Sequence, residues 1–189
     1  EQKEVKVKRL IPNWVYAAAA SVVLFLGYTF IFQETTYTTQ IAEQTAFELP
    51  DGSEVNLNTD SEISFTEFNW ANKRTLDLKG EAYFKVKKGS KFKVKTKEGT
   101  VTVLGTQFTV NSRDGFYNVT CFEGKVEVKI KGSSTHILEK GDAVKIQRNQ
   151  LATYEIQDEN PGWIAKESTF KNIAIEEVIA ELERQYNIS

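Results

Sequence analysis

Several features that would point to a particular chemistry are missing from this sequence or nearly so. There is one cysteine, Cys121, so no disulfide can form within the chain and the cross-linked framework of many secreted domains is absent. There is one histidine, His136, and no cluster of His and Cys, which leaves no recognisable zinc or haem site. A basic excess is lacking too. The 24 Lys and Arg against 26 Asp and Glu give a net charge of −2, the wrong sign for neutralising phosphates, and nucleic acid is not an expected partner. Of the three prolines only Pro50 lies between Phe47 and Thr153, in a turn where it cannot interrupt a strand ladder. No G-x-S-x-G frame surrounds any serine, so the residues point to no multiple-turnover enzyme and no cofactor. The chain opens on Glu1 without an initiator methionine, and is read as a piece of a longer protein.

What is present begins with one long apolar run. From Trp14 to Phe32 there is no charge, and a helix rising ~1.5 Å per residue would cover ~28 Å, close to a bilayer's hydrocarbon core. Trp14, Tyr16 and Tyr28 sit near its ends, where amphipathic rings suit the interface. Lys3, Lys6, Lys8 and Arg9 precede the run and Glu34 follows it, which places the N-terminus in the cytoplasm and the rest outside. A cleaved signal peptide would need small residues after the run, and Gln33-Glu34-Thr35-Thr36 supplies none. A buried core helix is disfavoured because the run is apolar on all sides. The expected order is a cytoplasmic juxtamembrane segment over 1–10, a transmembrane helix over 11–32 and a polar, Thr-rich stalk over 33–46.

From 47 to 158 the pattern is that of an all-β domain, sandwich or barrel-like. Short alternating runs are separated by Gly-containing turns at Pro50–Ser53, Lys88–Ser90, Glu98-Gly99, Asp114-Gly115, Glu123-Gly124, Lys131-Gly132 and Gly141-Asp142. The spacing at Glu123-Gly124 predicts a hairpin pairing Cys121 with Val126, Val119 with Val128 and Tyr117 with Ile130, all apolar and on one face. Cys121 then reads as a small core residue.

Seven lysines crowd 85–97, and most alternate with Phe84, Val86, Phe92 and Val94. One reading is a site for an anionic polymer or envelope glycan, which would make the chain a membrane-tethered binding module. The other is a solvated outer face that guards a β surface against edge pairing, with acidic neighbours or separated strands relieving the like charges. Farther along, apolar residues fall on odd positions at Val101 and Val103 and on even ones at Phe108 and Val110. This phase change across Leu104-Gly105-Thr106 predicts a bulge or kink.

The segment 159–189 reads as the opening of a small α+β domain. Ile175, Val178, Ile179, Leu182 and Tyr186 make one apolar helical stripe, with Asn172 as N-cap and Glu176 and Glu177 at the positive end of the helix dipole. Ser168–Lys171 is a candidate short strand.

The blocks GEAYFKVKKG (80–89), FKVKT (92–96), GTVTVLGTQFTV (99–110) and VTCFEGKVEV (119–128) follow one another in the order found in FecR domains, which this region resembles. Thr109 stands where the family's LGTxFNV motif usually has Asn. The segments 48–65 and 138–146 also fit. The tail from Phe170 to Asn187 is similar to the start of the short N-terminal-like domain shared by secretins and TonB-dependent receptors.

The resemblance implies a single-pass inner-membrane anti-sigma factor with its C-terminal domain in the periplasm. Such a protein relays a signal from a TonB-dependent outer-membrane transporter to a cytoplasmic extracytoplasmic-function sigma factor, here through a segment upstream of Glu1. It implies a partner-binding surface involving Phe170, Ile173, Ile175, Val178, Ile179 and Leu182. Because some members cut themselves at the Gly-Thr of the motif, it also marks Gly105 and Thr106 as a candidate single-turnover cleavage bond.

Overall fold

The computed structural model describes residues 12–31, 33–113, 115–147, 150–165, 167 and 175–186. The chain divides into two compact units, 1–33 and 34–189. The expected 1–10 segment, the Ser168–Lys171 strand, Asn172, Phe170 and Ile173 lie outside the described residues.

The first unit contains α1 (Asn13–Ile31), 19 residues without an acidic or basic side chain. Val22 through Leu26 are all exposed on it. Among the described residues no helix is long and apolar enough to cross a membrane.

The second unit is mostly β. Its strands in chain order are β1 (Glu34–Thr39), β2 (Thr45–Glu48), β3 (Glu54–Leu57), β4 (Ser61–Thr66), β5 (Arg74–Lys85), β6 (Phe92–Lys95) and β7 (Gly99–Val103). They continue with β8 (Gln107–Arg113), β9 (Phe116–Glu123), β10 (Lys125–Ile130), β11 (Thr135–Glu139), β12 (Asp142–Gln147) and β13 (Gln150–Glu155). A 3-10 turn at Gly162–Ala165 and α2 (Ile175–Tyr186) follow.

β5 organises the fold because it belongs to two sheets. Its first half pairs with β4 and β6, giving a first sheet ordered β1-β4-β5-β6-β7-β10-β11. Its second half pairs with β3 and β8, giving a second sheet ordered β2-β3-β5-β8-β9-β12-β13. The strand turns between them at Gly80, whose φ is +92° and where a Cβ would sit 2.7 Å from the Ser61 Cα. Only glycine meets both demands. The inner faces enclose one core in which Ile63, Leu76, Phe84, Phe92, Val110 and Val128 are fully buried.

Two expectations are corrected here. The 33–46 stretch is not a free stalk, since it holds β1 and the start of β2. Thr-rich alternation suits a pleated strand, and Tyr37 stacks on Phe47 with centroids 3.8 Å apart, which ties β1 to the core. The β9–β10 hairpin does not form either. β9 pairs with β8 and β12, whereas β10 pairs with β7 and β11. The apolar set Tyr117, Val119, Cys121, Val126, Val128 and Ile130 is buried as the alternation required, but by sheet facing sheet. At Gly124, with φ of +82°, the chain crosses from one sheet to the other. Alternation specifies which face is inward and leaves the choice of neighbour open.

The phase change at 104–106 has a related cause. β7 lies in the first sheet and β8 in the second, so the chain changes sheets at this point. A bulge follows, with Gln107 opposite Glu123 and Phe108 opposite Cys121.

Candidate functional site

Each sequence-derived candidate falls at a different place. Gly105 and Thr106 lie in the β7–β8 crossing, held by the 86–89 segment. The Thr106 carbonyl accepts from the Val86 amide at 3.0 Å, and the Leu104 carbonyl accepts from Gly89 at 2.9 Å. A Cβ on Gly105 would come within 2.7 Å of the Lys88 Cα, so the close approach of this turn requires glycine. Thr106 is 4% exposed and its hydroxyl donates to the Lys125 carbonyl at 3.2 Å. A Cβ at Gly124 would meet the Gly105 carbonyl oxygen at 3.2 Å and Thr106 Oγ1 at 3.3 Å, so the bare glycine leaves room beside this peptide.

The lysines are dispersed. Lys85 ends the half of β5 in the second sheet, while Lys93 and Lys95 lie on β6 beside the first half, in register with Thr75 and Asp77. On their other side stand Thr102 and Thr100. The like charges are therefore separated by sheet, with a carboxylate beside Lys95. Cys121 is buried, and desolvation pushes its thiol, which donates to the Glu123 carbonyl at 3.7 Å, up to about 11, which keeps it protonated and unreactive.

The C-terminal candidates split between described residues and positions outside them. Ile175, Val178, Ile179 and Leu182 belong to α2, and the helix forms where the apolar period predicts it. The periodicity does not reveal which side meets the domain. Ile175 is 64%, Ile179 49% and Tyr186 58% exposed, whereas Val178 and Leu182 are half-buried.

The polar side of α2 is seated on the domain. Arg113 of β8 lies with its Nε 3.9 Å from Glu181, and Arg184 pairs with the same carboxylate at 2.9 Å. The Arg184 carbonyl, one of the last-turn acceptors that a helix cannot satisfy itself, takes the Ala42 amide at 2.8 Å and the Thr59 hydroxyl at 2.9 Å. Ala42 holds φ of 60°, unusual for a residue with a Cβ, at the turn that aims this amide.

Beneath α2 lies a cleft of about 670 Å³, floored by Thr109, Asn111, Asn118 and Thr120 on the outer face of the second sheet. Glu81 lines it beside Arg113 and Glu181, and accepts from Asn58 Nδ2 at 2.8 Å. Sequence reasoning missed this cluster. Its members lie up to about a hundred residues apart, and each alone is an ordinary outward-facing charge on its own element.

Residues 35–127 match the family model described as FecR protein. A crystal structure at 2.50 Å of a "putative anti-sigma factor" from Parabacteroides distasonis ATCC 8503 is similar, with TM-score 0.75 and 27% identity, covering 82% of this chain and 76% of that one. A second, described in the same words and from the same organism at 1.65 Å, gives TM-score 0.74 and 27% identity, covering 81% and 75%. No curated protein matches the chain. The chain thus carries a FecR domain and is similar to proteins described as anti-sigma factors.

Proposed function

We propose that the chain is the membrane-anchored, periplasmic part of an anti-sigma factor that relays a signal from a TonB-dependent outer-membrane transporter to a cytoplasmic sigma factor. The observation that carries this reading is α2. Ile175, Ile179 and Tyr186 point outward while the charged side is occupied by the domain, which leaves an apolar stripe available to a partner. α1 supports the anchor with 19 uncharged residues and exposed apolar side chains, which water solvates poorly.

The test is truncation of the full-length protein before Trp163. Response to inducer should be lost with membrane insertion unchanged. A normal response would move the contact away from α2.

Two readings divide the Gly105–Thr106 bond. In one, Gly105 is there for the Lys88 backbone and Thr106 is an ordinary buried hydroxyl. In the other, which rests on the room left by Gly124, the Thr106 oxygen attacks the Gly105 carbonyl carbon. The C–N bond then breaks, the Thr106 nitrogen takes up the proton, and water hydrolyses the resulting ester. The Lys125 carbonyl bonded to the hydroxyl is too weak a base to take that proton, so cleavage needs another route for it. Mass spectrometry of purified protein separates the readings: two fragments meeting at Gly105/Thr106 and absent in Thr106→Ala support cleavage, and one intact chain after long incubation supports packing.

A further inference from the structure

We propose that α2 is a releasable latch on the β domain and that closing it takes up a proton at Glu81. Its role in signalling rests on the reading of α2 given above, whereas the latch itself does not.

No side chain of α2 is fully buried, and its direct contacts are an ion cluster and a backbone acceptor at the rim of a cleft also lined by Phe116, Phe122, Tyr154 and Trp163. β5 contributes Glu81, β8 contributes Arg113, and the turn before β4 contributes Asp60, 3.9 Å from Arg113. α2 contributes Glu181 and Arg184, and the neutral Asn58 holds one Glu81 oxygen. Lys85, Lys145 and Glu177 line the same cleft, as do Asp158, Glu159 and Glu167 of the segment that follows β13. Arg113 and Glu181 stand 3.9 Å apart, beyond hydrogen-bond distance, and the cleft below the helix forgoes the close packing that would bind it firmly. Such an element opens more easily than the strands beneath it.

The proton enters because the buried Glu81 carboxylate shares the seat with Glu181. Burial first, and then Glu181, raise the Glu81 carboxyl to about 7, against the pull of Arg113, Asn58 and Arg184. Lifting α2 removes Glu181 and admits water, so the carboxyl falls back toward its ordinary value of 4.5. The closed state therefore binds more protons between those two values. The latch is tightest at the acidic end and loosens as pH rises through 7, by up to about tenfold in the closing equilibrium per pH unit.

The Ala42 amide reads the latch directly, since its acceptor is the Arg184 carbonyl. The experiment is amide exchange by NMR on the full chain from pH 5 to 8, each rate taken relative to an unstructured peptide, with the core Val119 amide as control for global opening. Ala42 protection should fall by up to about tenfold per pH unit below 7 and stay below that of Val119 at every pH, Val119 falling in parallel because global unfolding also frees Glu81. Glu81→Gln should flatten the profile with Ala42 protected throughout. Glu181→Gln should move the fall to lower pH, and Val119 protection verifies that each variant is folded. A flat Ala42 profile in the parent, or an unchanged slope in Glu81→Gln, would overturn the proposal. If the profile behaves as expected but truncation before Trp163 leaves signalling intact, the latch stands and the partner reading of α2 falls.

Discussion

Arg74 is 4% exposed and binds Asp51 at 2.8 Å, the Lys87 carbonyl at 2.9 Å and the Ser90 carbonyl, with its guanidinium 5.7 Å from the Phe92 ring. It ties the 87–90 turn, and through Lys88 the Gly105 peptide, to the start of β5. Arg74→Met leaves Asp51 buried without its cation, and should cost about 3–5 kcal/mol in urea unfolding. A change below about 1 kcal/mol would mean that water already replaces the pair. Burial raises the Asp51 carboxyl, but hydrogen bonds from Arg74 and Ser53 outweigh it and hold the group below its ordinary 3.8. The stability it adds is present in full above that value and is lost as pH falls through the lower folded one. Unfolding followed from pH 6 to 3 should therefore be less acid-sensitive in Asp51→Asn. At Gly105 a methyl group would press on the Lys88 backbone, so Gly105→Ala should destabilise by about 1–3 kcal/mol whether or not the bond is ever cut.

At the scale of the element, β6 and α2 behave in opposite ways. β6 buries Phe92 and Val94 and presents Lys93 and Lys95 outward, which is ordinary strand amphipathicity. Because these lysines face Thr and Asp neighbours, replacing Lys87, Lys91, Lys93 and Lys95 with Gln should leave the unfolding midpoint and signalling near normal, each change within about 0.5 kcal/mol. Loss of signalling with the fold intact would revive the anionic-polymer reading. α2 has an equally regular stripe but the domain covers it only in part, with Val178 and Leu182 half-buried and Ile175 and Ile179 in the open. Periodicity specifies that an apolar face exists, and a neighbour decides whether that face is buried. For α2 the first neighbour is a charged seat built from β5, β8 and the 58–60 turn.

For the whole molecule, the proposed topology sets α1 across the inner membrane and 34–189 in the periplasm. Lys3, Lys6, Lys8 and Arg9 upstream and Glu34 downstream motivate it. A reporter active only outside the cytoplasm, fused after Ser189, should be active. Activity of a cytoplasm-only reporter at that point would reverse the orientation and remove the relay.

The β class, the turn positions, the inward faces and the helix at Ile175–Tyr186 were legible from residue order because each depends on local spacing. Gly115, Gly132 and Gly141 occupy turns with positive φ where the pattern broke, and Val119 and Val128 face inward as alternation required. The strand neighbours were not legible. Cys121 lies opposite Phe108 and not Val126, because a buried face packs equally well against a facing sheet or a paired strand, and only the path of β5 through both sheets decides between them. The Glu81, Arg113, Glu181 and Arg184 cluster belongs with what tertiary structure alone decided. A charge next to water in sequence becomes part of a seat only when another element removes the water, and that is a property of distance in space.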